Sequence, residues 1–119
     1  MDASRGADPP APSLPRRLAA LEICPLTDRS GVHAAGEITL TTRTAWERTL
    51  EDLVGGGGDD VHLDLSAVTF VDVAGASAVA FAAQQLGSGR RMVLTGPPPG
   101  LRRALEMFWP GLVAIEVRA

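Results

Sequence analysis

Val61-His62-Leu63-Asp64-Leu65-Ser66-Ala67-Val68-Thr69-Phe70-Val71-Asp72-Val73-Ala74-Gly75-Ala76-Ser77-Ala78-Val79-Ala80-Phe81-Ala82-Ala83-Gln84-Gln85-Leu86 changes period partway along. At its start Val61, Leu63 and Leu65 alternate with His62 and Asp64, the two-residue period of a strand. At its end Ala76, Val79, Ala80, Ala83 and Leu86 form the stripe of an amphipathic helix. Residues 70–75 are expected to turn the chain from one into the other. Asp72 is placed to cap the helix, its carboxylate accepting an amide hydrogen near Gly75. A short strand-to-helix turn of this kind is a frequent place for function in small α/β domains.

Outward from this stretch, the chain reads as one domain behind a tail. Residues 1–17 hold Pro9, Pro10, Pro12 and Pro15 among small and charged residues. Such a segment has too little to bury, so a disordered tail is expected there and the domain is expected over 18–119. Leu18, Leu21, Ile23 and Leu26 suggest a first strand. Asp28-Arg29-Ser30-Gly31 suggests a turn, and residues 32–38 a second strand paired back on the first. Residues 43–54 fit a helix with Trp46, Leu50, Leu53 and Val54 on one face. Gly55-Gly56-Gly57-Gly58 ends it as a loop, because it lacks the Lys-Ser/Thr of a P-loop and precedes a strand. Beyond Leu86, Gly87 is expected to close the second helix in a left-handed cap. Residues 91–95 then give a strand, and Leu101, Ala104, Leu105 and Phe108 the core side of a third helix that Pro110 stops. Leu112, Val113, Ile115 and Val117 supply a last strand. The order β-β-α-β-α-β-α-β implies an α/β fold, one mixed sheet with its helices mainly on one face.

Composition excludes several classes of function. The 119 residues carry a net charge of −3, without the clustered positive field of a nucleic-acid surface. Lys, Asn and Tyr are absent, which we attribute to a GC-rich genome. Cys24 is the single cysteine, leaving no disulfide within the chain, and is expected as a small buried hydrophobe. No apolar run reaches the roughly 18 residues of a membrane span and no signal peptide is evident, so a cytoplasmic protein is expected. His33 and His62 lie in predicted strands without a nearby nucleophile and acid, and are expected to be structural. Asp59, Asp60, Asp64 and Asp72 show no recurring ligand spacing, so neither metal nor cofactor is expected. The residues offer no enzyme chemistry.

Taken in order, Gly36-Glu37-Ile38, Leu63-Asp64-Leu65-Ser66, Val68-x-Phe70-x-Asp72-x-x-Gly75, Gly96-Pro97 and the Arg-rich third helix resemble a STAS domain of the anti-sigma-factor-antagonist family. The resemblance spans about residues 21–117. It implies a stand-alone binding module whose partner is an anti-sigma factor with serine kinase activity. That kinase phosphorylates a Ser or Thr in the turn, and the unphosphorylated form captures it. Here the family's Asp-Ser-Ser/Thr-Gly reads Asp72-Val73-Ala74-Gly75, so the phosphorylation position is Ala74 and neither central residue has a hydroxyl. Thr39 stands where an Asp commonly follows Gly-Glu-Leu/Ile. The resemblance therefore implies binding without the usual switch, with Ser77 the substitute acceptor to weigh, beside Ser66 and Thr69. Partner contacts are expected from Asp72, Val73, Ala74, Gly75, Ser77 and Phe81, the last an aromatic on the helix face turned to water. Three alternatives stay open: a scaffold in a signalling complex, an accessory STAS subunit of ABC-type lipid transport, and a small-molecule sensor.

Overall fold

The computed structural model describes residues 21–56, 59–87 and 89–119. The tail expected over 1–17, and Gly57 and Gly58 of the glycine run, lie outside the described residues. The chain runs β1 (Leu21–Pro25), β2 (Gly31–Ile38), a 3₁₀ turn (Leu40–Thr42), α1 (Arg43–Gly55), β3 (Val61–Val71), α2 (Val73–Gln84), β4 (Met92–Thr95), α3 (Pro99–Phe108) and β5 (Ile115–Arg118). The sheet order is β1-β2-β3-β4-β5. β1 and β2 form the antiparallel hairpin, and every later pairing is parallel. Each helix steps the chain one strand further in the same direction, so right-handed crossovers put all three on one face.

That face holds the core. Val61, Leu63 and Leu65 of β3, Met92 and Leu94 of β4, Ile38 of β2, Trp46 of α1, Ala76, Val79 and Ala80 of α2, and Leu101 of α3 are all fully buried. With so few aromatics the interior is filled by small and branched side chains, and Ala on α2 lets that helix approach the sheet closely.

β3 departs from simple alternation. It is an 11-residue strand whose buried positions after Leu65 are Val68 and Val71. The register explains the spacing: His33 faces Asp64 while Ala35 faces Ala67, and Gly36 faces Val68 while Glu37 faces Phe70. β3 thus carries an extra residue at two places, and each bulge returns the next apolar side chain to the core. Consequently the strand continues to Val71, and the turn expected over 70–75 shrinks to Asp72, with α2 starting at Val73.

Four other expectations are corrected. Cys24 is exposed, because it shares with its partner His33 the sheet face that no helix covers. Gly87 is not left-handed. α2 ends at Gln84 with Gln85 in a right-handed cap, and the positive φ (83°) falls at Gly89. Phe108 is 55% exposed, since the last turn of α3 runs past the sheet. Val113 is 87% exposed, because β5 does not begin until Ile115.

Candidate functional site

The turn between β3 and α2 is held from three sides. The Asp72 amide donates to the Ile38 carbonyl (3.0 Å), tying the turn to the end of β2. Asp72 itself is extended (φ −81°, ψ 176°), and its Oδ1 accepts the Gly75 amide hydrogen at 2.8 Å. This is the expected N-cap, which satisfies an amide that the helix leaves without a partner. The Trp46 indole Nε1, buried in α1, donates to the Gly75 carbonyl at 3.3 Å. Gly75 has no space for a side chain: a Cβ there would lie 2.7 Å from Ile38 Cγ2 and 2.9 Å from Val71 Cγ1.

A second turn stands beside it at the end of β2. The Thr42 hydroxyl accepts the Thr39 amide hydrogen at 2.9 Å and lies 3.0 Å from the Glu37 carbonyl, to which it can donate. Thr42 is buried, whereas Leu40 projects into solvent at 74% exposure. Thr39, in place of the acid common in the family resembled, puts a hydroxyl and no charge on this loop; its Oγ1 lies 3.2 Å from that of Thr41.

The six residues singled out from the sequence fall into two groups. Asp72 and Gly75 face inward and form the frame. Val73 is 60% exposed at the head of α2. Ala74, Ser77 and Phe81 line an open groove of about 650 Å³ between α1 and α2, whose other wall includes Arg43, Glu47 and Leu50. Phe81 is 63% exposed on the rim of that groove. Arg43 and Glu47 form a loose i,i+4 pair (3.7 Å). Sequence reasoning missed Leu40 and the α1 wall. An exposed Leu in a polar loop was a readable signal, but the α1 wall follows only from the strand order that sets α1 beside α2.

The helix-free face carries His33, Asp64 and Ser66 in contact. Ser66 Oγ donates to Asp64 Oδ1 (2.7 Å), and His33 Nδ1 lies 3.2 Å from Asp64 Oδ2. Here the carboxylate sits between the hydroxyl and the imidazole. In a nucleophilic triad the imidazole is central, so this order of groups is not that of such a triad. The Ser66 hydroxyl, helped by its backbone amide and by His33, holds the Asp64 carboxyl below the ordinary carboxylate range against the opposing effect of partial burial. Among the described residues no group of three His, Cys, Asp or Glu is arranged to hold a metal ion, and no helix is long and apolar enough to cross a membrane.

With this geometry in view, the chain compares with known proteins as follows. Residues 26–109 match the family described as "Mlab, STAS domain". An anti-sigma factor antagonist from Mycobacterium paratuberculosis superposes with a TM-score of 0.66 at 25% identity, covering 84% of this chain and 86% of that one. The anti-sigma factor antagonist SpoIIAA in its unphosphorylated form superposes with a TM-score of 0.60 at 18% identity, covering 84% and 88%, a likeness of fold alone. No curated protein sequence matches the chain. The family match extends over well more than half of the sequence and includes β2, α1, β3, the capped turn, α2, β4 and α3. The chain belongs to the STAS domain family.

Proposed function

We propose that this chain is a protein-binding STAS module of the anti-sigma-factor-antagonist type, working in the cytoplasm. It takes hold of an anti-sigma factor with serine kinase activity, and the phosphorylation that normally ends such contact is missing. The observation that carries this reading is a turn held by hydrogen bonds, with exposed apolar side chains around it. Asp72 and Gly75 fix the backbone, Val73 and Phe81 stand in solvent on α2 with Ala74 and Ser77, and Leu40 stands in solvent on the adjoining turn. Exposed apolar residues grouped on a held backbone suit a partner that buries them. Ala74 leaves the family's acceptor position without a hydroxyl, so a kinase adds no charge at that position.

A phosphate at that position adds about −1.5 to −2 charge at pH 7, enough to expel a partner fitted to an uncharged side chain there. Purifying the chain with its partners from the native cell should yield an anti-sigma factor of the kinase type. With that kinase and ATP, intact-mass measurement should find the wild-type Asp72-to-Gly75 turn unmodified. Ala74→Ser should gain one phosphate and release its partner. Stoichiometric phosphate on wild-type Ser77, Ser66 or Thr69 would replace the unswitched reading with a displaced switch. Partner retention by phosphorylated Ala74→Ser would move the interface elsewhere.

A second reading is a STAS subunit attached to an ABC-type lipid transporter. Recovery of an ABC-type ATPase in place of a kinase decides for it.

A further inference from the structure

We infer that β5 is a self-complementary edge through which two copies of this chain pair, joining their sheets into one. Among the described residues β5 pairs with β4 alone. The direction of its backbone groups is fixed by the bonds it makes. The Ala114 carbonyl accepts from the Met92 amide at 2.7 Å, and the Arg118 carbonyl from the Gly96 amide at 2.9 Å. In a parallel ladder the inward-directed residues alternate, so 114, 116 and 118 turn their backbone groups toward β4. Ile115 and Val117 turn theirs outward, which makes them the hydrogen-bonding edge.

A two-fold axis through Val117 satisfies that edge with the same edge of a second copy. Val117 exchanges reciprocal N–H to carbonyl bonds with Val117 of the second copy, and Ile115 comes opposite Ala119. Glu116 is then directly opposite Arg118 of the second copy, in the closer, non-hydrogen-bonded type of pair. Opposed residues of an antiparallel pair share a sheet face, so unlike charges meet twice by symmetry. On the face where they meet, Glu116 is already among cations, with Arg118 and Arg91 donating to it at 2.6 and 2.9 Å. On the other face Ile115 and Val117 border a small groove against α3, lined by Leu105, Trp109 and Leu112 together with Arg102 and Glu106. The pairing continues that groove into its copy. The outer edge of β1 offers no such match: it carries Glu22 without an opposite charge and ends at Pro25. No residue of β5 lines the groove between α1 and α2, so a dimer leaves the candidate partner surface open.

The contact is small, so a concentration-dependent dimer is expected in place of a permanent one. Sedimentation of the full chain should give a weight-average mass rising from 12.4 kDa toward twice that value as concentration increases. Arg118→Glu sets Glu opposite Glu116 of the second copy, and Glu116→Arg sets Arg opposite Arg118. Each should weaken self-association about tenfold or more, since both symmetry-related pairs become repulsive. Mixed one to one, the two variants restore unlike charges at both positions and should dimerise again, which also demonstrates that each is folded. A wild type that stays monomeric up to about 1 mM overturns the inference. So does a dimer that ignores both variants, or a mixture of the two that fails to recover it.

Discussion

Gly75 is where the turn and the core become one problem. Its missing side chain lets Ile38, Val71 and the Trp46 indole close on the start of α2. Gly75→Ala should therefore destabilise the domain by about 1–3 kcal/mol, the usual cost of forcing a methyl into a packed interior. Chemical denaturation measures this, and a variant as stable as wild type would show that the core yields there. A second residue-scale prediction concerns Asp64. A carboxylate whose folded pKa is lowered adds stability that is complete above its unfolded value. That stability is lost as pH falls through the lowered one. Removing the leading cause with Ser66→Ala should raise the Asp64 midpoint toward the ordinary 3.8 and flatten the acid side of the stability profile. Carboxyl titration by NMR tests it: a wild-type Asp64 titrating at or above 3.8 contradicts the geometry.

At the scale of elements, α2 shows what period alone conveys. Ala76, Val79, Ala80, Ala83 and Leu86 were legible as its buried stripe; the first four are buried, whereas Leu86 falls beyond the end of α2 at Gln84 and is half-buried. Ala82 is also buried, because α2 packs against α1 on one side and α3 on the other, and the covered arc widens beyond a stripe. Phe81 escapes that cover only because it falls at the open mouth between α1 and α2. Phe81→Ala should leave the melting temperature within about 2 °C of wild type, as a surface truncation does, while weakening partner capture at least tenfold. A drop of several degrees would mean that the ring is holding the two helices together. The Asp72 cap was readable because it is local chemistry, a carboxylate three residues before an unsatisfied amide. The β3 bulges were not, since a bulge is defined by the partner strand and a one-chain pattern loses its period there. Val113 and Phe108 failed for a related reason: apolar character was visible, but where the sheet stops was not.

Across the whole molecule, fold class and the order of elements along the chain were legible, because alternating strands and helices with right-handed crossovers leave few arrangements open. The exposed Cys24 shows the limit, for nothing local told which sheet face the helices would leave bare. The strand lengths have one further consequence. β4 meets β3 only from Val61 to Asp64, whereas β2 accompanies β3 as far as Val71. The second half of β3 is thus a two-stranded ribbon projecting beyond the sheet, and the candidate turn rides on its tip. Amide exchange should record a gradient along this single strand. Protection approaching that of global unfolding is expected at 62–65, and markedly faster exchange at 67–70 by local opening of the ribbon. Uniform protection over all 11 residues would deny it. A partner that closes on the turn therefore braces the least supported length of the sheet, and its binding should slow exchange in the ribbon more than anywhere else in the sheet.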